Sequence, residues 1–226
     1  MISTISGFSM KAKNTIKVRR GLTAIAGLLA LGALCVGTKA DAAQVHFRFT
    51  GGSWSHGYHA TSIDDLCKAT GLLRGSLYGV FGDKHGIMLA ALDHYAEGSV
   101  ARLAERLNAP VPAEESLRNA LLHYARVACA LTGERSCFIT NTTLEMQPDD
   151  EELRTRVAAI QRRMATLLAA SVIRGQASGA FNSTLDEKAV GNFLLCVMQG
   201  LRVLGRVAHK EDALIGIVDV AMRALV

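Results

Sequence analysis

The chain has 226 residues, of which half are hydrophobic and only three are proline, so its composition favours a mostly helical protein. This length allows one large core, or a small domain followed by a medium one. The formal net charge is +5, but residues 1–43 hold six of the 25 basic and one of the 20 acidic residues, which leaves 19 of each beyond them. The basic balance is therefore no evidence for a nucleic-acid partner. Five scattered cysteines without a CxxC pair argue against a disulfide framework and a structural zinc site.

Residues 1–43 differ in composition from the rest of the chain. A cationic run from Lys11 to Arg20 precedes an apolar run from Gly21 to Gly37, and Ala40-Asp41-Ala42 has the small-x-small pattern of a cleavage site. This order is typical of a secretory signal peptide. A buried helix is the alternative, and a fused or wrongly started reading frame would also explain the segment.

The next stretch, from Gln44 to Tyr58, does not have the pattern of a full helix. Phe47 and Phe49 alternate as in a strand. The pair Gly51-Gly52 follows, and each glycine costs a helix about 1 kcal/mol.

The segment from Thr61 to Lys84 predicts two short helices joined by a tight turn. Ser62 or Thr61 can cap the first helix, which carries an apolar stripe at Ile63, Leu66 and Cys67. Gly71 supplies the backbone freedom that the turn needs. This pattern indicates a helix-turn-helix.

The second helix is predicted from Leu73 or Arg74 to Phe81. Its inner face carries Leu77 and Phe81, and its outer face carries Arg74, Ser76 and Tyr78. A helix-turn-helix presents such an outer face to the major groove of DNA, where side chains of this length reach base edges and phosphates. Any amphipathic helical hairpin, with Tyr78 as a half-buried packing residue, would fit the spacing equally well.

The segment resembles the DNA-binding domain of the TetR/AcrR family of bacterial transcriptional regulators. The resemblance rests on Thr61, Gly71, Leu77-Tyr78, Phe81 and Lys84, all at that family's spacing. It implies base reading by Arg74, Gly75 and Ser76, and phosphate contacts from Thr61, Ser62, Tyr78 and Lys84. It also implies a double-stranded DNA operator, a small-molecule effector and a homodimer. The family has a further helix before this segment, so its loss here would leave Leu66, Leu77 and Phe81 partly exposed.

Beyond Lys84 the helical period continues to the end of the chain. Six stretches are expected to be helical: from Lys84 to about Asn108, about residues 117–131, Cys137–Met146, Asp149 to about Ser178, Asp186–Arg206 and Glu211–Leu225. The resemblance implies that the last two form a four-helix bundle with a second copy. Their wide apolar faces fit this role, although both faces could simply be core.

The same resemblance implies a ligand pocket among the regulatory helices. Its expected lining is mostly apolar and consists of Cys137, Phe138, Asn141, Met164, Leu168, Phe193 and Met198. Core packing would explain most of these residues equally well. Cys137 follows Arg135 at a helix start, which is typical of a reactive thiol, and a cysteine sensor of oxidants or electrophiles is one interpretation. A small buried hydrophobe is the other.

The sequence carries no motif of catalysis, nucleotide binding or metal ligation, so we expect neither an enzyme, nor a metal site, nor a cofactor. The expected fold is all-α, with a signal-like or fused segment at 1–43, a helix-turn-helix domain at 44–96 and a ligand-binding and dimerisation domain at 97–226. The expected function is a cytoplasmic ligand-responsive regulator, acting as a repressor. The alternative is an exported or membrane-tethered helical module that has lost DNA binding.

Overall fold

The computed structural model describes residue 58 and residues 61–130, 137–207 and 210–226. Within these residues the chain forms eight α-helices and no β-strand, which confirms the all-α fold. The helices are α1 (Ile63–Thr70), α2 (Arg74–Phe81), α3 (Lys84–Leu107), α4 (Ala113–Ala130), α5 (Phe138–Glu145), α6 (Glu151–Ala177), α7 (Glu187–Leu204) and α8 (Glu211–Arg223). The expectations for the signal-like segment and for the stretch before Tyr58 lie outside the described residues.

Side-chain caps fix the starts of four of the eight described helices. Ser62 and Asp65 form a capping box at α1, in which the Ser62 hydroxyl accepts from the backbone N–H of Asp65 and the Asp65 side chain accepts from the N–H of Ser62. Asp83, Asp150 and Asp186 each accept from a backbone N–H in the first turn of α3, α6 and α7.

The helix-turn-helix packs on the start of α3. Leu66 of α1 and Leu77 of α2 are fully buried beside Ile87, Met88 and Leu92 of α3. Leu66 and Leu77 are therefore not exposed, and Phe81 is half-buried. The expected partial exposure of these side chains depends on the loss of a preceding helix, and that segment lies outside the described residues.

The regulatory part is a bundle in which α3, α4, α6 and α7 pack on one another, with α8 against α4 and α7. Its core is aliphatic and contains Leu103, Leu117, Leu121, Leu168, Leu194 and Leu201. The long helix α3 belongs to both parts and runs without interruption through the domain boundary predicted after residue 96. No helix in the described ranges is long and apolar enough to cross a membrane.

Three polar contacts connect the helix-turn-helix region and α3 to the corner between α5 and α6. The backbone N–H of Tyr58 donates to Glu145 Oε2 at 2.7 Å, and His85 Nδ1 lies 3.6 Å from Asp150 Oδ2. Further along, Arg156 pairs with Asp93 of α3. A displacement of the α5–α6 corner is therefore passed directly to the start of α3.

Candidate DNA-recognition helix and regulatory cavity

The turn before α2 is held by Thr70 and Gly71. Gly71 adopts a left-handed conformation, with φ of 74°, which a glycine accepts without the steric cost of a Cβ. The buried Thr70 hydroxyl donates to the carbonyl of Leu66 at 2.7 Å and accepts from the N–H of Leu72 at 3.2 Å. These contacts fix the angle at which α2 leaves α1.

The outer face of α2 is exposed along its first turn. Arg74, Gly75 and Ser76 face solvent, while Leu77, at 1% exposure, anchors the helix. Arg74 Nη2 donates to Asp64 Oδ1 of α1 at 2.8 Å. This hydrogen bond, together with the charge of Asp64, raises the pKa of Arg74. This pair was not predicted from the sequence.

The residues predicted to contact phosphates differ in accessibility. Ser62 is exposed and occupied in the capping box, and Tyr78 is half-buried. Lys84 Nζ lies 4.3 Å from the centre of the Tyr58 ring, and burial lowers the pKa of this lysine. Thr61 is buried, at 3% exposure. Phosphate contacts by all four stay a prediction.

A cavity of about 140 Å³ lies in the regulatory bundle, among α3, α4, α7 and the start of α5. It is lined by Tyr95, Ser99, Arg102, Arg106, His123, Tyr124, Val127, Cys137 and Arg202. Cys137 is the one residue of the predicted pocket that lines it. Phe138, Leu168, Met164 and Met198 are packed in the core, Asn141 is buried, and Phe193 is exposed.

The cavity is dominated by positive charge. Arg202 lies with its guanidinium 4.7 Å from the centre of the Tyr124 ring, and the Tyr95 hydroxyl lies 3.8 Å from Cys137 Sγ. Burial lowers the pKa of His123, and the charges of Arg106, Arg202 and Arg102 lower it further. Cys137 precedes α5 as its N-cap and is 7% exposed.

The polar lining contributed by α3 has a signal in the sequence. Tyr95, Ser99, Arg102 and Arg106 are spaced by four, three and four residues, which places them on one helix face. The polar face formed by these four residues was not among the predictions from the sequence.

Helices α7 and α8 carry apolar side chains on the surface of the single chain. Phe193 and Val220 are 42% and 58% exposed, and Val203 and Leu204 are exposed to a similar degree. These side chains are not core, so the alternative in which both apolar faces are wholly internal does not hold. No group of three or more His, Cys, Asp or Glu side chains in the described part of the chain could hold a metal ion.

Two protein-family models match the chain. Residues 54–91 match "Bacterial regulatory proteins, tetR family", and residues 113–222 match "Tetracyclin repressor-like, C-terminal domain". The chain is 30% identical over 174 residues to the HTH-type transcriptional repressor ComR of Escherichia coli (strain K12), covering 75% of this chain and 81% of ComR. It is 24% identical over 170 residues to the repressor DhaR of Mycobacterium sp. (strain GP1), covering 75% of this chain and 84% of DhaR.

Solved structures agree with this assignment. A cysteine mutant of the TetR family regulator CifR, in complex with 26-bp operator DNA, superposes with a TM-score of 0.70 at 25% identity, covering 80% of this chain and 94% of CifR. Reduced NemR of E. coli, at 16% identity, has the same fold, with a TM-score of 0.69 over 82% of this chain and 97% of NemR. The chain therefore belongs to the TetR family of bacterial regulatory proteins.

Proposed function

We propose that the chain acts as a homodimeric, ligand-responsive repressor, which binds a palindromic DNA operator through α2 and releases it when a small molecule binds in the regulatory bundle. The observation that carries this proposal is the exposed first turn of α2 above the buried Leu77. The repressor relatives and the operator-bound structure of CifR support it.

Gly75 lies in the exposed first turn of α2. An added Cβ at this position would meet nothing within 4 Å, so no contact inside the chain requires a glycine. Alanine has the higher helix propensity, so glycine carries no advantage for folding here. The small residue leaves room for α2 to approach DNA closely, while Arg74 and Ser76 read base edges beside it.

Backbone contacts position this helix on the duplex. Ser62, Tyr78 and Lys84 are accessible enough to reach phosphates on either side of α2. Thr61 stays in this set on the resemblance to the family alone, because its side chain is buried.

A second copy covers the apolar faces of α7 (within predicted residues 186–206) and α8 (within 211–225). Exposed apolar side chains on both helices would be removed from water in such a four-helix bundle. Two α2 helices would then reach half-sites about one DNA turn apart, or about 34 Å. A ligand that favours another spacing of the two helices would release the operator.

The expected place and chemistry of this function follow from the proposal. A DNA-binding repressor acts in the cytoplasm, and binding rather than catalysis is its activity. Of the residues predicted for the effector pocket, Cys137 lines the cavity.

The test starts from a palindromic site selected out of a random double-stranded DNA library. Arg74→Ala should weaken binding to that site about 10- to 100-fold and relax the preference at one base position. Gly75→Ala should also weaken binding while the melting temperature stays equal or rises. Arg163→Ala, an exposed position on α6, is the matched control and should leave the affinity unchanged.

A parallel chain, in which residues 1–53 are replaced by a designed amphipathic helix, separates two kinds of failure. Binding by this chain alone would mean that the regulatory fold is sound but that the natural start disables it. Absence of binding by both chains, while both still dimerise, would refute the repressor and favour a helical module without DNA binding.

A further inference from the structure

The cavity in the regulatory bundle concentrates positive charge from separate helices. Arg102 and Arg106 come from α3, Arg202 comes from α7, and His123 comes from α4. No carboxylate is among the residues that line it. Bringing like charges together in a half-buried space is unfavourable unless something of opposite charge joins them.

The three arginines have few partners within the chain. Arg102 Nη2 donates to Ser99 Oγ at 3.3 Å. Arg202 stacks on the Tyr124 ring and hydrogen-bonds to the hydroxyls of Tyr95 and Tyr124. The ion pairs that the described residues form involve other arginines: Arg74, Arg118, Arg126, Arg154 and Arg156. The guanidinium groups of Arg102 and Arg106 therefore keep donors available to a ligand, while Arg202 adds its charge.

We propose that this cavity binds a small anion carrying a carboxylate or phosphate group, held by Arg102, Arg106 and Arg202. This deepens the proposed function, on which it rests, by naming the chemical class of the effector. A guanidinium offers two parallel N–H donors that match the two oxygens of a carboxylate or phosphate. Tyr95 and Tyr124 hold Arg202 in place beside the cavity, and Val127 supplies an apolar wall.

The size of the cavity limits the body of the ligand. A volume of about 140 Å³ is close to that of an engineered protein cavity of about 150 Å³ that holds one benzene molecule. A compact anion, such as a short-chain or single-ring carboxylate or inorganic phosphate, fits this space.

The anion would connect two helices with different tasks. Arg102 and Arg106 belong to α3, which begins next to the helix-turn-helix, and Arg202 belongs to α7, which carries the exposed Phe193. An anion held by both sides neutralises their repulsion and draws α7 toward α3. Binding of the anion therefore acts on α3, the helix that positions α2.

The test uses the full chain and three probes at constant ionic strength: benzoate, its neutral analogue benzamide, and inorganic phosphate. Binding is followed by titration calorimetry and by the shift in melting temperature. We expect saturable binding of benzoate if the site takes a carboxylate, or of inorganic phosphate if it takes a phosphate group. Benzamide should show no saturable binding. Arg106→Gln and Arg102→Gln should each weaken binding of the anion about 10- to 100-fold, since each removes a charge-assisted hydrogen bond.

Two further variants keep the test independent of folding defects. Arg106→Lys keeps the charge but loses the paired donors, so it should bind the anion at an intermediate affinity. Arg163→Gln, on the exposed surface of α6, removes the same charge far from the cavity and should bind like the parent chain. The ligand-free melting temperature of each variant shows whether it is folded.

Three results would overturn the anion site: no saturable binding of either anion, equal binding of benzamide and benzoate, or equal loss of binding in Arg163→Gln and Arg106→Gln. Operator binding, measured on the same samples, keeps the two proposals apart. Operator binding without anion binding would refute only the proposed anion site. Anion binding without operator binding would refute the proposed repressor function.

Discussion

Two glycines in α7 should respond oppositely to the same substitution. A Cβ built at Gly191 would lie 2.6 Å from the carbonyl oxygen of Ala165 and 3.0 Å from the Cβ of Ala169, both on α6. A Cβ built at Gly200 would meet nothing within 4 Å. Gly191→Ala must therefore push α7 away from α6, whereas Gly200→Ala adds a methyl group in open space.

The magnitudes follow from two opposing effects. Overpacking costs about 1–3 kcal/mol, and the upper end applies at Gly191 because a backbone carbonyl cannot rotate away as a side chain can. Replacing glycine by alanine inside a helix returns about 1 kcal/mol at either position. The net expectation is a loss of about 2 kcal/mol for Gly191→Ala and a gain of about 1 kcal/mol for Gly200→Ala. For a chain of this size, these correspond to a fall in melting temperature of about 4–8 °C and a rise of about 2–4 °C.

Thermal unfolding followed by circular dichroism at several protein concentrations is the assay. Dimerisation adds stability that depends on concentration, whereas packing of α7 on α6 within one chain does not. Extrapolation to low concentration therefore isolates the packing effect. Similar shifts of the same sign for both variants would refute the argument that Gly191 is required by the close approach of the two helices.

Three further predictions concern single side chains. Lys84→Gln should weaken binding to all DNA sequences about equally, and should reduce the slope of log affinity against log salt concentration by about 1, because one phosphate contact is lost. An unchanged slope in a salt titration would show that Lys84 does not contact a phosphate. Burial and the neighbouring arginines lower the pKa of His123 in the folded chain, so the unfolded chain binds more protons. The free energy of unfolding should therefore fall as the pH drops from about 6.5 toward the lowered pKa. Urea unfolding at pH 7.5 and 5.5 should show a smaller fall for His123→Gln, and an equal fall in both chains would contradict the assignment. If Cys137 senses electrophiles, Cys137→Ser should abolish release of the operator by N-ethylmaleimide while leaving DNA affinity intact; retained release would leave Cys137 as a small buried side chain.

The helices of this chain could be predicted because their limits are set locally. Ser62, Asp83, Asp150 and Asp186 cap helices through contacts within three residues along the chain, and Gly71 ends α1 through its own backbone conformation. Such interactions can be recognised in a short window of sequence. The helix-turn-helix and the exposed face of α2 followed from the same kind of pattern.

The cavity could not be predicted in this way, because its walls come from distant parts of the chain. Arg202 is separated from Arg102 by 100 positions, and only the packing of α7 near α3 and α4 brings them together. The pocket expected from the sequence favoured apolar side chains such as Leu168 and Met198. Those side chains instead fill the core, since nothing in a local pattern distinguishes an apolar residue that lines a space from one that closes it.

The continuity of α3 makes it a lever arm between the cavity and the DNA. Its 24 residues span about 36 Å, and Lys84 and Arg102 lie about 27 Å apart along the axis. A rigid tilt of about 5° around the cavity end therefore displaces the other end by about 2 Å. In a symmetric dimer both α3 helices would tilt, so the separation of the two recognition helices would change by up to about 4 Å. This exceeds one base-pair step, against a half-site spacing of about 34 Å. A small tilt of α3 caused by the proposed anion would thereby change the spacing of the two recognition helices.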